Sequence, residues 1–318
     1  VDASLQTNNS DPTGLSAERP EYERKIAWPS VVPLVAIHVT AIALAPLTFS
    51  WAGLWVGVIA GHLISPVGIN LTYHRVLAHR SLTLPKWLEH TFVVIGLLSL
   101  EGPPVQWVAT HRCHHRRVDT ELDPHSPVRG FFWSHIGWLF VRQDPWLATS
   151  YARDLLRDPF YRWLQGGFRW FAIYLVHVAL FFAGAVLAGW LAWHDMQAAM
   201  ALGISVLVWG VLVRQVYVWH VTWGVNSITH ILGYRNYETP DRSRNNWFWG
   251  LLSMGEGWHN NHHHDPASAS NWHRVWEVDA TYLIIRALEL VGLATDVKRP
   301  RHIRRRVGEE TMRWTQWP

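Results

Sequence analysis

A single cysteine stands among the 318 residues, so no disulfide can form within the chain and a cysteine-based zinc site is excluded by composition. Charge is also scarce, at 16 % Asp, Glu, Lys and Arg. Between Ile26 and His74 there is none at all, and between Trp170 and Trp223 only Asp195 and Arg214 interrupt. Soluble cores seldom run that far without a charge. Other signatures are missing too. There is no HExxH, which removes the simplest zinc-protease reading, no glycine fingerprint for a nucleotide, no internal repeat and no fused haem domain. The first 25 residues are polar, with Asn8-Asn9-Ser10-Asp11-Pro12, and do not read as a secretory signal; residues 1–27 are expected to be a disordered arm.

Apolar residues make up 49 % of the chain, and tryptophan, at 22 copies, is abundant. Each charge-poor run is long enough for two bilayer crossings of about 20 residues with a tight turn between them. The predicted spans are 31–48, 51–73, 170–193 and 197–219. The stretches Thr91 to Leu100 and Phe131 to Val141 are too short to cross and read as in-plane or packed segments. Neither hairpin turn carries Lys or Arg, so by the positive-inside rule both termini and the middle segment face the cytoplasm. The expected fold is an all-α integral membrane protein: four transmembrane helices in two hairpins, with a cytoplasmic helical domain built from 74–169 and 220–297. Together these form one membrane domain over 28–297. The basic tail 298–318, with Lys298, Arg299, Arg301 and Arg304 to Arg306, suits anionic membrane lipid or an acidic electron donor; nothing points to nucleic acid.

Twenty histidines are the positive signal. Nine of them, all outside the long apolar stretches, form three spaced clusters and one isolated position: His74 and His79, His111, His114 and His115, His230, and His259, His262 and His263. At about 3.6 residues per turn, positions i, i+3 and i+4 share a helix face, so each triplet can aim its imidazoles at one point. His74 and His79, at i and i+5, lie about 140° apart on an ideal helix at ~100° per residue. Either they serve different metals or the helix bends between them. Nine imidazoles exceed one zinc site and suit two irons with room for dioxygen. Asp119, Glu121, Asp123, Glu256 and Asp265 are expected as hydrogen-bond acceptors for ligating rings or as salt-bridging groups rather than as metal ligands, and Cys113 as a small packed residue.

The segments HRVLAHR (74–80), HRCHHRRVDTELDPHSP (111–127), GFFWSHIGWLFVR (130–142), NSITH (226–230) and GEGWHNNHH (255–263) resemble the membrane fatty acyl desaturases, in particular the delta-9 group of bacterial or cyanobacterial type. The resemblance covers about Trp28 to Lys298. It implies a cytoplasmic di-iron centre that inserts a cis double bond into a saturated long-chain acyl group, using O2 and two electrons from a ferredoxin or cytochrome b5 type donor. By carry-over, the nine histidines are ligands of two Fe ions, and Asn226 approaches one iron through a water. An acyl tunnel passes Trp107 and closes near Pro66 and His62, two and three turns before His74. Ala109 and Thr110 stand where animal acyl-CoA desaturases place an Arg-Asp pair, so the carrier, CoA or a lipid, stays open. Alkyl hydroxylases share such histidine boxes and form the nearest rival; a non-catalytic metal or haem transporter would need more polar residues within its spans.

Overall fold

The computed structural model describes residues 25–301, so most of the polar arm and the tail from His302 onward lie outside the described residues. Twelve α-helices account for most of the described chain, with no strand and only isolated β-bridges among those residues. Helix α1 is Trp28–Leu44, with a proline in its first turn where a missing N–H costs nothing. Helix α2 runs Trp51–Ala78, its start capped by Ser50, which accepts from the Gly53 N–H. Then come α3 Lys86–Leu97, α4 Pro104–Arg117, α5 Phe131–His135, α6 Trp146–Tyr151 and α7 Pro159–Gln165. The hairpin α8 Arg169–Trp193 and α9 Met196–His230 turns at His194, which is left-handed, and Asp195, which caps α9 through the Gln197 and Ala198 N–H groups. Helices α10 Trp247–Leu252, α11 His259–His264 and α12 Ala280–Leu290 complete the order.

Helices α2, α8 and α9, of 28, 25 and 35 residues, are long and apolar enough to cross a membrane; α1, at 17 residues, is apolar but shorter. Their outer faces carry large bare side chains such as Ile42, Leu63, Leu180 and Leu191, each more than half exposed. Contiguous apolar surface of this kind needs lipid around it. Helices α2 and α9 run past the expected span ends at 73 and 219, to Ala78 and His230. Beyond the apolar stretch α2 is buried in a core that includes Leu71, Tyr73, Leu77, Val105, Val108 and Ile285, and α9 places Trp219 and Trp223 in a smaller cluster with Leu34. The in-plane segment 131–141 forms α5 and a following 3-10 turn, Gly137–Phe140.

Two features fix the angle at which α2 reaches its far end. Pro66 has no N–H to donate and its ring crowds the preceding turn, and from there to Ala78 the helix is wound with i→i+5 hydrogen bonds. Gly68 and Gly96 let α2 and α3 touch backbone to backbone: a Cβ on Gly68 would lie 2.3 Å from the Gly96 Cα.

Candidate metal centre

The i→i+5 winding decides the placement of the first pair. The His79 N–H bonds the His74 carbonyl, five residues back, at 3.0 Å. A wider turn brings positions five apart towards one face, and the two rings stand 4.8 Å apart. The wide turn supplies the bend between them and brings both rings to one place.

The nine histidines assemble into two groups. His74, His79, His111, His115 and His262 bring one ligand atom each within 4.8 Å of one another, and His114, His230, His259 and His263 do the same. Every Nε2 points inward, with Nε2 to Nε2 distances of 2.7 Å for His79 and His111, 2.9 Å for His262 and His115, 3.2 Å for His74 and His262, 3.1 Å for His259 and His230, and 3.4 Å for His114 and His263. The α4 triplet divides between the groups, as does the α11 triplet. Burial and the neighbouring imidazoles hold His79, His111, His114, His115, His259 and His262 well below the ordinary histidine range. These rings are neutral at physiological pH, the state in which imidazole binds a metal.

Behind four of the rings stand carboxylates. His74 Nδ1 lies 2.9 Å from Glu256, His114 Nδ1 2.8 Å from Asp123, His230 Nδ1 3.2 Å from Asp119 and His263 Nδ1 3.0 Å from Asp241. Such partners fix the tautomer and ring orientation of a ligating histidine. Burial pushes the Glu256 carboxyl up, but Arg75 and His74 outweigh it and bring it down to about 2. Arg75, buried, bonds Glu256 at 2.7 Å and Asp279 at 2.9 Å, so the α2 end is tied to the loops around α11 and α12. Two of the five carboxylates take the salt-bridging role instead: Glu121 pairs with Arg129 on the surface, and Asp265 with Arg301. Asp241 was not singled out from sequence, because a carboxylate in Thr239-Pro240-Asp241 reads as an ordinary turn. Asn260 and Asn261, interleaved with the α11 histidines, were missed as well. Asn261 bonds Glu277, Asn236, Asn245 and the Asn271 carbonyl, and Asn260 accepts from the Asn236 and Tyr237 N–H groups. They anchor the face of α11 opposite the metal groups.

One apolar cavity runs from the histidines along α2 and α9. His74, His111, His114 and His259 line its head with Asn226, Trp107 and Thr222 beside them, and Gly61, His62, Pro66 and Tyr217 line its far end. Trp107 stacks on His111 with ring centroids 5.1 Å apart. Its Nε1–H donates to Glu101 at 3.0 Å, and the Thr222 hydroxyl donates to the other Glu101 oxygen at 2.9 Å, so one carboxyl couples both walls. Burial pushes that carboxyl up to about 7 against those two donors. Cys113 is buried in the core on the outer side of α4. His125 lies against His114 on the Asp123 side, with ring centroids 4.4 Å apart.

This donor set fits first-row metal ions: nitrogen throughout and braced by carboxylates. The fatty acid desaturase family model matches residues 49–284. An sn-1 stearoyl-lipid 9-desaturase of Anabaena variabilis is 41 % identical over 276 residues, covering 86 % of this chain and 94 % of that one. A delta-9 acyl-lipid desaturase of Arabidopsis thaliana is 39 % identical over 297 residues, 91 % and 90 % of the two chains. An acyl-CoA 5-desaturase of Anemone leveillei is 40 % identical over 295 residues, 89 % and 86 %.

Proposed function

The chain belongs to the fatty acid desaturase family, and from that premise we propose that it inserts a cis double bond at the delta-9 position of a saturated long-chain acyl group. It is an oxidoreductase of the membrane; the regiochemistry, the two irons, the four-span topology and the cytoplasmic site are our reading. The observation that carries the reading is the cavity headed by two histidine groups, because an apolar slot ending at metal-binding imidazoles selects an acyl chain and the chemistry at once.

In this reading His74, His79, His111, His115 and His262 hold one iron. His114, His230, His259 and His263 hold the other, with Asn226 beside it through a water. Bound iron supplies the O2-dependent redox chemistry needed to take hydrogen from an unactivated methylene, with two electrons from a ferredoxin or cytochrome b5 type donor. The protein supplies position. Trp107 and Thr222, fixed by Glu101, pin the acyl chain where the cavity meets the histidines. The tail beyond the reacting carbons lies along α2 between His74 and His62, both of which line the cavity. Helix α1 acts as the fourth span, and the domain over 28–297 has its segments 74–169 and 220–297 on the cytoplasmic side.

The test is the fatty-acid profile of a desaturase-lacking host expressing the chain or its His262→Ala variant, with double bonds located by mass spectrometry. A new cis-9 monoene that vanishes in the variant is expected. Hydroxy acids would favour the hydroxylase reading. Tight binding of stearoyl-CoA relative to free stearate would assign CoA as carrier, and its absence a lipid.

A further inference from the structure

Arg214 interrupts the apolar run of α9, directly after Val206–Val213, a stretch wound with wide i→i+5 turns. It is 3 % exposed. Nη2 donates to the Leu98 carbonyl at 3.2 Å and to the Gln215 amide oxygen at 3.4 Å, while Nε and Nη1 are buried with no partner. No carboxylate pairs with it among the described residues. An ionised side chain within a span without a counter-ion is unfavourable, and marks a functional position with a missing partner.

The surface that Arg214 meets on α8 is made by Tyr174, His177 and Phe181, at i, i+3 and i+7. The guanidinium carbon lies 6.0 Å from the centre of the Phe181 ring, the His177 ring 4.6 Å from Phe181 and the Tyr174 ring 5.4 Å from His177. Tyr174 and His177 are 3 % and 5 % exposed, and the Tyr174 hydroxyl and both His177 nitrogens are also without partners. The hydrogens on offer are three from the guanidinium, one on Nε and two on Nη1, one from a phenol and one from an imidazole, around a fixed positive charge.

We propose that α8 and α9 enclose a binding site for a small monovalent anion of the halide class, held by Arg214, the Tyr174 hydroxyl and a His177 ring N–H. Burial of all three side chains shuts out a lipid phosphate. Water satisfies the donors but leaves the charge unpaired in a low-dielectric interior. The anion joins α8 to α9 and, through Arg214 Nη2, to the end of α3. It also braces the cavity's closed end, since the Arg214 Cγ lies 3.4 Å from where a Gly61 Cβ would sit.

The inference is independent of the desaturase reading and is tested without it. The full chain is purified in detergent, and its unfolding midpoint is followed in sodium chloride, bromide and gluconate at equal ionic strength, with equilibrium dialysis against radiochloride in parallel. The midpoint should rise saturably with chloride and bromide but not gluconate, with radiochloride retained. Arg214→Met should remove both effects. Tyr174→Phe, which keeps the charge and tests the site if the arginine variant does not fold, should raise the half-saturating concentration roughly ten-fold, as for one hydrogen bond to a charged group. Equal midpoints in chloride and gluconate, or no retained radiochloride, overturns the proposal and leaves Arg214 to bound water.

Discussion

His262 stands where the first histidine group closes, its Nε2 3.2 Å from that of His74 and 2.9 Å from that of His115. His262→Ala should abolish desaturation and cut bound iron to roughly half, measured by metal analysis of purified protein, because the second group is left whole. Glu256 acts one step further out, accepting from His74 on one oxygen and Arg75 on the other. Glu256→Gln keeps the shape but withdraws the charge. Iron affinity should fall about 10- to 100-fold, read from iron content at limiting supply. Unchanged iron content would show that His74 is oriented without it.

Between residues and the whole lies the element, and here α2 decides most. Its wide turns after Pro66 put His74 and His79 in one group, and its contact with α3 depends on two glycines. Gly68→Ala sets a methyl against the α3 backbone and should cost about 1–3 kcal/mol, seen as a lower unfolding midpoint. The end of α2 is gripped from outside by Arg112, which donates to the Leu77 and Ala78 carbonyls and to Asp154. Burial raises the Asp154 carboxyl, but Arg112 and Arg80 outweigh it and hold it at about 2. A carboxyl held below its unfolded value near ~3.9 stabilises the fold above that pH, and the contribution is lost as pH falls through about 2. Asp154→Asn should therefore lower stability at pH 7 by about 1 kcal/mol, discounted because water screens a partly exposed pair, and the gap to the parent should close in acid.

At the scale of the molecule, the proposed function makes the apolar helices the walls of a slot whose length selects the substrate. His62 lines the far end of the cavity, its Nδ1–H bonded to the Val58 carbonyl at 2.9 Å and its ring 5.8 Å from Tyr217. His62→Ala should shift products towards longer acyl chains in the host's fatty-acid profile; an unaltered distribution would remove His62 from the tunnel end. A further histidine chain, from His38 through His220 to His135 and Ser227, packs α1 against α9 and α5, which accounts for three histidines outside the metal groups.

The sequence by itself picked out the nine histidines that the fold gathers, and determined that the chain is helical and that it belongs in a membrane, since each is written in local spacing: i, i+3, i+4 within one helix and charge-free runs within one span. Only the tertiary structure decided how the histidines divide. Nothing local says that His262 joins His74, 188 positions away, or that the α4 and α11 triplets each split between groups. Asp241 behind His263, Glu101 between Trp107 and Thr222, and the asparagines of α11 were equally out of reach, because their partners lie on other elements. The pairing of His74 with His79 stood between the two, since spacing allowed a bend and the wide turns after Pro66 supplied it.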